Sequence, residues 1–295
     1  MSRIIDDLKY QYRTGGISQK LIYWNVGLFA IPAIVFGLLS LFGLNIDYLY
    51  YVSLDSTTSS LLWKPWSVIT YAVFHSGIFH LLFNMLILHF SMRLFLTYFN
   101  QKQLLGLYIL GGIFAGFVYI LSYFVLPVFK DSQSSLVGAS GSIMAILFAT
   151  VTYNPYMELR LLFIGRIKLW HIAAFIIVLD LIQLPLSNTG GHLAHLGGAL
   201  FGYIFIILLK KGTDVTDIVT KIINFFVVKS TSKGSKNPFK KVHKNYTHTT
   251  VKVESKIVRK DKTQQQIDEI LDKISASGYD SLSKEEKDFL FRAGK

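Results

Sequence analysis

The chain has 295 residues, of which 52% are hydrophobic and 15% aromatic, a composition typical of a protein embedded in a bilayer. It contains no cysteine, which excludes disulfides, thiol chemistry and cysteine-ligated metals. The formal net charge of +12 lies in loops and in a basic C-terminal tail. Membrane topology accounts for this charge more simply than nucleic-acid binding does, so we expect the lipid bilayer, and no nucleic acid, as a partner.

Six apolar segments precede Lys210 and predict an all-α polytopic membrane protein, a bundle of six transmembrane helices. The segments are 21–44, 78–98, 104–129, 136–153, 168–186 and 191–209. Most connections between them are short, so consecutive helices are expected to pack as antiparallel neighbours.

Positive charge in the connections is strongly one-sided, with ten Lys and Arg residues on one side and two on the other. The ten are Arg3, Lys9, Arg13, Lys20, Lys102, Arg160, Arg166, Lys168, Lys210 and Lys211, and the two are Lys64 and Lys130. The positive-inside rule then predicts that both termini are cytoplasmic. The first 16 residues have mixed charge and no apolar core, which is not the pattern of a cleaved signal peptide.

The same reading divides the chain into four parts. We expect a cytoplasmic N-terminus (1–20), a six-helix domain (21–210), a flexible basic linker (211–262) and a small C-terminal helical hairpin (263–295). In the hairpin, Gly278 is the predicted stop of the first helix, and Ser281 or Ser283 caps the second. The hairpin is too small to form a stable core alone, so we expect it to dock on a partner or on the cytoplasmic face.

The segment 136–153, LVGASGSIMAILFATVTY, places Ser140 between glycines at the start of an apolar run. Gly138 and Gly141 allow the backbone to turn tightly before a helix begins. The helix is expected to end at Tyr153, because an Asn-Pro pair follows, and this is short for a membrane span. Ser140 is therefore expected beside a watered, protein-lined cavity within the membrane. The alternative is that this pattern only serves small-residue helix packing.

Two other apolar segments carry polar residues at helical spacing. His80 and Asn84 are four residues apart and share a helix face. His192 and His195 precede a GxxxG pair at 198–202, which predicts that this helix contacts a neighbour at backbone distance. Polar groups in hydrocarbon are costly and tend to be functional.

Together these residues supply what acyl transfer requires. We predict Ser140 as nucleophile and His195 as general base and then acid, with an oxyanion hole formed by His80, Asn84 and the N–H of Ser140. His192 is the competing candidate for the base. No HExxH motif occurs, so a zinc protease is not expected.

A metal site could instead use His75, His80, His192 and His195. It is the weaker interpretation, and we expect neither a metal nor a cofactor.

Over residues 20–210 the chain resembles the rhomboid intramembrane serine proteases, here of the bacterial kind. The resemblance rests on HLLFN at 80–84, GASG at 138–141 and AHLGGALFG at 194–202, in the order and spacing of that family. It implies a Ser–His dyad, a cavity open to the outer side, and transmembrane protein substrates in a bacterial cytoplasmic membrane. In that family the matching base is His195, and His80 and Asn84 match the oxyanion residues. His75 matches a further histidine that supports structure or water access.

Three positions depart from the family pattern. Trp66 is followed by Ser67 where the family usually has Arg, Met144 replaces a frequent aromatic residue, and Met92 replaces a usual glycine. None of these removes a catalytic atom. The segment from about 264 resembles a tail module of some bacterial rhomboid-like proteins.

Two other functions are compatible with parts of this pattern. One is a catalytically inactive rhomboid-like protein that binds client proteins, and the other is a transporter or channel lined by intramembrane polar residues. Retention of both Ser140 and His195 argues against the first, and the lack of inverted repeats argues against the second. Natural substrates and oligomeric state do not follow from the sequence.

Overall fold

The structure is a computed structural model that describes residues 2–161, 165–231 and 254–293. The chain divides into two compact units, Met1–Gly234 and Ser235–Lys295, and each is described by itself. Helices dominate both units. In chain order the helices are α1 (Ser2–Thr14), α2 (Ile17–Ser40), α3 (Tyr48–Val52), α4 (Thr58–Trp63), α5 (Ser67–Thr70), α6 (Ile78–Phe95), α7 (Gln101–Val125), α8 (Ser140–Tyr153), α9 (Leu169–Gln183), α10 (Thr189–Lys210), α11 (Asp217–Thr231), α12 (Glu254–Ser277) and α13 (Lys284–Ala293).

Two small antiparallel sheets accompany the helices of the first unit. Strand β1 (Leu54–Asp55) pairs with β2 (Ser135–Leu136), and β3 (Glu158–Leu161) pairs with β4 (Gly165–Lys168). Short 3₁₀ turns cover Tyr71–Val73, Pro127–Phe129 and Tyr279–Ser281.

The predicted apolar segments correspond to α2, α6, α7, α8, α9 and α10, with each boundary within four residues of the prediction. Among the described residues, α2, α6, α7 and α10 are long and apolar enough to cross a membrane, while α8 and α9 are shorter apolar helices. Helix α8 begins only at Ser140 because Leu136 pairs in strand β2 and Gly138 has φ +134°, a conformation that does not occur within a helix. It ends at Tyr153, before the Asn-Pro pair, as predicted.

Helix α8 is the centre of the first unit. It contacts α6, α7, α9 and α10, and most of its side chains are buried. Small residues permit this packing: a Cβ added to Gly198 or Gly202 of α10 would collide with the carbonyl oxygen of Gly141 or of Ala145 in α8. The close approach predicted from the GxxxG pair is therefore confirmed, and its partner is the helix that begins with Ser140.

The segment predicted as a flexible linker, 211–262, differs from that expectation at both ends. Helix α11 (Asp217–Thr231) occupies its first part and contacts α7, and α12 already begins at Glu254. The physical reason for α11 is local: the run DIVTKIINFFVV is apolar enough to pack, and Val219 is buried. The rest of the predicted linker, 232–253, lies outside the described residues.

The second unit contains α12 and α13 joined by a tight turn. Helix α12 ends at Ser277, and Gly278 follows with φ +77°, a conformation that favours glycine. The Ser283 Oγ accepts from the Glu286 N–H at 3.2 Å, while Glu286 accepts from the Ser283 N–H at 2.7 Å, which forms a capping box. The predicted stop at Gly278 and the cap at Ser283 are both confirmed.

Candidate active site

One cavity of about 790 Å³ collects side chains from α6, α8 and α10 and from the first loop. Ser140, His195, His80 and Asn84 all line it. The four residues identified from the sequence therefore line one cavity although they come from three separate helices, α6, α8 and α10. His192 is not among the lining residues, so of the two candidate bases the structure brings His195 to the cavity.

Ser140 is the first residue of α8 and is half-buried. The backbone N–H groups in the first turn of a helix have no partner within the helix, and the helix dipole favours negative charge there. The turn before the helix is fixed by Gly138, whose φ of +134° favours glycine and whose N–H donates to the Tyr71 carbonyl at 2.8 Å. Ser140 thus lies at the N-terminal end of a helix and lines the cavity.

His80 and Asn84 lie on one face of α6, as their spacing predicted. The Asn84 side-chain amide donates one hydrogen to the His80 carbonyl at 2.8 Å, which holds the side chain and leaves a second amide hydrogen. The Nδ1 atom of His80 lies 3.0 Å from Ser76 Oγ. If Ser76 donates to Nδ1, the ring proton resides on Nε2, and His80 is then a donor on its opposite side.

His75 is fully buried and packs edge-on against His80, with ring centroids 5.2 Å apart. Neither of its ring nitrogens has a hydrogen-bond partner within the described ranges. Burial, followed by the nearby His80, lowers the pKa of His75 to about 4. The ring is therefore neutral near pH 7 and supports His80 by packing.

His195 lies on α10 and is part-buried, with its Nδ1 atom 2.9 Å from Asp180 Oδ1. Asp180 is on α9 and is itself buried. The same carboxylate oxygen lies 2.7 Å from Nδ1 of His192. This contact joins α9 to α10, so it depends on how the two helices pack and is not visible in the spacing of residues along the chain.

The described residues show no hydrogen bond between Ser140 Oγ and the His195 ring. Catalytic hydrogen bonds are often long in enzymes without substrate and shorten in the reacting complex. The arrangement is thus a hydroxyl, an imidazole and amide donors around one cavity, and such a set can carry out acyl transfer.

The four histidines considered as a metal site do not form one cluster of ligand atoms. Among the described residues, Asp180, His192 and His195 instead offer ligand atoms that all lie within 4.8 Å of one another. Their nitrogen–oxygen spacings of 2.7 and 2.9 Å are those of hydrogen bonds.

The first loop is anchored by a buried lysine that the sequence interpretation missed. Lys64 forms an ion pair with Asp55 at 2.7 Å, donates to the Tyr50 carbonyl at 2.6 Å and lies 4.4 Å from the centroid of the Tyr50 ring. Asp55 and Tyr50 both line the cavity. This cation lies three residues before Ser67, the position at which the family usually has Arg, and it fixes the loop against the site.

Two polar residues at the junction of α9 and α10, Gln183 and Asn188, differ in whether they reach the cavity. Asn188 lines the cavity and precedes α10 in a left-handed conformation with φ +47°. Gln183, the last residue of α9, is exposed and is not among the lining residues. Met144 is buried within α8.

Residues 62–212 match the family model of the Rhomboid domain, and this match covers half of the chain. The chain belongs to the rhomboid family. Rhomboid proteins are generally intramembrane serine proteases, and the domain and the apolar helices fit membrane intramembrane proteolysis. A second match, over residues 257–293, is to a family of unknown function, DUF6576.

Several curated rhomboid proteins are similar to this chain. The Presenilin-associated rhomboid-like protein A, mitochondrial, of Danio rerio is 34% identical over 138 residues, which are 45% of this chain and 34% of that protein. The corresponding protein of Rattus norvegicus is 30% identical over 183 residues (61% and 47%), and RHOMBOID-like protein 12, mitochondrial, of Arabidopsis thaliana is 27% identical over 174 residues (55% and 51%). The chain thus spans about half, or less, of the length of these relatives.

The comparison corrects the expected location of this rhomboid protein. The sequence interpretation placed it in a bacterial cytoplasmic membrane, but these relatives are all named as mitochondrial proteins. The bacterial assignment is therefore wrong, whereas a multi-pass membrane protein fits. The expectation arose because the three motifs identify the catalytic domain and carry no information about the compartment.

Proposed function

We propose that the protein is an intramembrane serine endopeptidase that cleaves transmembrane segments of other membrane proteins. The observation that carries this proposal is the shared cavity lined by Ser140, His195, His80 and Asn84. The rhomboid family match supports the same reaction class. Each residue has one role: Ser140 is the nucleophile, His195 the base and then the acid, and His80, Asn84 and the Ser140 N–H stabilise the oxyanion.

The reaction follows from the chemistry of these groups. His195 takes the Ser140 proton as the oxygen attacks the peptide carbonyl, and it then protonates the leaving amine. Water in the cavity hydrolyses the acyl-enzyme by the same route. No cofactor enters these steps, and no metal is needed to activate the serine.

Substrate access is proposed between α6 and α9. Phe83 and Ile87 of α6 line the cavity and are exposed on the outer surface of the bundle. Away from the cavity, residues of α6, α8 and α9 form an apolar cluster that includes Leu94, Leu147 and Leu169. A substrate helix that enters on the cavity side of this cluster has to unwind, since a helical carbonyl is already hydrogen-bonded. Helix-breaking residues near the cut are expected to favour cleavage.

We further propose that α8 and α9 cross the membrane with the four longer helices, which gives six spans. Both are apolar but short, and α8 is enclosed by other helices, so its ends need not reach lipid headgroups. The natural chain has no cysteine, so single introduced cysteines report topology without background. Tyr156, between α8 and α9, is exposed: labelling there from the same side as Thr14 and from the opposite side to Ser132 supports six spans, and labelling there from the same side as Ser132 contradicts it.

The function is tested with purified protein and a panel of single-pass reporter helices. Cleavage that is abolished by Ser140→Ala and by His195→Ala supports the proposal. Ser142→Ala is the matched control, because Ser142 is two residues along the same helix and its buried Oγ has no partner within the described residues. A fluorophosphonate probe should modify Ser140 in the natural protein.

If no reporter in the panel is cleaved and the probe leaves Ser140 unmodified, the endopeptidase is contradicted. Binding of the same reporters would then indicate the alternative, an inactive client-binding rhomboid-like protein.

A further inference from the structure

The carboxylate of Asp180 connects α9 to both histidines of α10. Its Oδ1 atom lies 2.9 Å from His195 Nδ1 and 2.7 Å from His192 Nδ1. The Asp180 side chain is 7% exposed and that of His192 is 9% exposed, whereas that of His195, which reaches the cavity, is 24% exposed. A buried carboxylate therefore stands directly behind the predicted base, on the side of the ring away from Nε2.

We propose that Asp180 is a positioning residue that holds His195 in its working tautomer and stabilises the imidazolium, which makes the site a Ser–His–Asp arrangement. The inference rests on the proposed function in one respect: it assumes that His195 is the base for Ser140. It goes beyond that function because a Ser–His dyad needs no acid.

The tautomer follows from the hydrogen-bond inventory. An ionised carboxylate accepts hydrogen bonds and cannot donate them. A neutral His195 ring that bonds to Oδ1 must therefore carry its proton on Nδ1, which leaves Nε2 unprotonated. Nε2 is then free to accept the Ser140 proton. Without the carboxylate, either tautomer is available, and one of them presents an N–H to the serine and is inactive as a base.

The carboxylate also affects the charged intermediate. When Ser140 Oγ forms its bond to the carbonyl carbon, its proton moves to Nε2 and His195 becomes a cation. Asp180 at 2.9 Å stabilises that cation. The proton then passes to the leaving amine as the carbon–nitrogen bond breaks, and a water molecule repeats the sequence on the acyl-enzyme and restores the Ser140 hydroxyl. Asp180 keeps its charge throughout.

His192 fixes the carboxylate from the other side. It donates to the same Oδ1 atom, while Oδ2 has no hydrogen-bond partner in the described part of the chain. The rings of His192 and His195 are nearly perpendicular, at 88°, with centroids 5.7 Å apart. His192 thus acts as the support of Asp180, and its absence from the cavity lining agrees with that role.

The first test is enzyme kinetics on Asp180→Asn across pH. The variant keeps the shape of the side chain but loses the charge, and its amide can donate to Nδ1 and select the wrong tautomer. We expect kcat to fall on the order of 10²–10⁴-fold with KM changed less than threefold. The acidic limb of the pH–rate profile should move to lower pH, because the imidazolium has lost its counter-charge.

Two controls separate positioning from fold stability. Tyr108→Phe removes a buried hydroxyl that donates to the Ala72 carbonyl at 2.7 Å, far from Asp180 in the chain, so it should lower the melting temperature without moving the acidic limb. His192→Gln removes the second donor to Asp180 and leaves the His195 contact, so the acidic limb should not move to lower pH. An Asp180→Asn variant that loses melting temperature and leaves the limb in place overturns the proposal.

Metal binding by the same three side chains is a distinct outcome. Loss of activity on treatment with a chelator, with recovery on addition of Zn²⁺, overturns the proposal because Asp180 and His195 would then be metal ligands. Activity that is indifferent to the chelator supports it.

A final measurement does not depend on activity. The ¹⁵N NMR spectrum of histidine-labelled natural protein, with His195 assigned by comparison with His195→Gln, should show the Nδ1–H tautomer. The Nε2–H tautomer in the natural protein overturns the positioning role even if the enzyme is active. If the natural protein cleaves no reporter, the proposed function fails, while this spectrum still decides whether Asp180 sets the tautomer.

Discussion

The backbone of Gly138 lies directly against the imidazole ring of His80. A Cβ added to Gly138 would be 2.8 Å from both Cε1 and Nε2 of that ring, so the turn before Ser140 and the predicted oxyanion residue are in contact. Gly138 also has φ +134°, which side chains rarely adopt. The position of Ser140 therefore depends on the absence of a side chain at Gly138.

Gly138→Ala should lower activity strongly. We expect at least a hundredfold loss of kcat and about 2 kcal/mol loss of stability, because the methyl group displaces His80 and strains the turn. Reporter cleavage and thermal unfolding measure the two effects. Gly37→Ala is the control, since a Cβ there meets no atom within 4 Å and alanine favours the helix by up to about 1 kcal/mol. Equal losses of kcat and of stability in Gly138→Ala and Gly37→Ala would refute this account.

Ser76→Ala should impair the oxyanion hole without weakening substrate binding. The hydroxyl lies 3.0 Å from His80 Nδ1, and its loss removes the group that favours the Nε2–H tautomer. We expect kcat to fall about tenfold with KM nearly constant. Ser40→Ala, at the exposed end of α2, serves as the matched control. Unchanged kcat in Ser76→Ala would mean that His80 does not rely on this contact.

Lys64→Met should destabilise the first loop. Lys64 is 5% exposed and pairs with Asp55, so its removal leaves a carboxylate that has lost its partner. We expect a loss of about 3 kcal/mol, read by thermal unfolding in detergent. The double variant Lys64→Met/Asp55→Asn should recover part of that loss, because it also removes the orphaned charge. Lys130→Met, at an exposed position, should be neutral, and an equal loss there would contradict the anchoring role.

Acidification should destabilise the fold through His75. Its pKa is lowered to about 4, chiefly by burial, whereas an unfolded histidine titrates near 6.5. Between these values the unfolded chain binds the proton and the folded chain does not, so stability is full above about pH 6.5 and declines as pH falls toward 4. His75→Leu should flatten this decline in melting temperature. His89→Leu, at an exposed position, should leave it unchanged, and a decline that persists in full in His75→Leu would exclude His75 as its source.

The six apolar helices, the stop at Tyr153 and the close contact of α10 were predictable because each depends on local patterns. Apolar run length, an Asn-Pro pair and a GxxxG spacing are all visible within one segment. The candidate residues on α6, α8 and α10 were predictable for the same reason, since polar groups stand out in apolar runs.

Contacts between distant residues were not predictable in this way. The ion pair of Lys64 with Asp55, the pairing of β1 with β2 and the contact of Asp180 with His195 each join parts of the chain whose approach is set by packing. Helix α11 was missed because its apolar run begins only six residues after Lys211, in a part of the chain whose overall composition is polar and basic. The compartment was missed because catalytic motifs do not encode it.

The two-residue pairing of β1 with β2 has a mechanical consequence. Leu54 and Asp55 of the first loop are hydrogen-bonded in register with Leu136 and Ser135, only a few residues before Ser140. If the proposed function holds, we expect a substrate helix that displaces this loop to shift the backbone leading to Ser140 as well, which would couple substrate entry to the alignment of the serine.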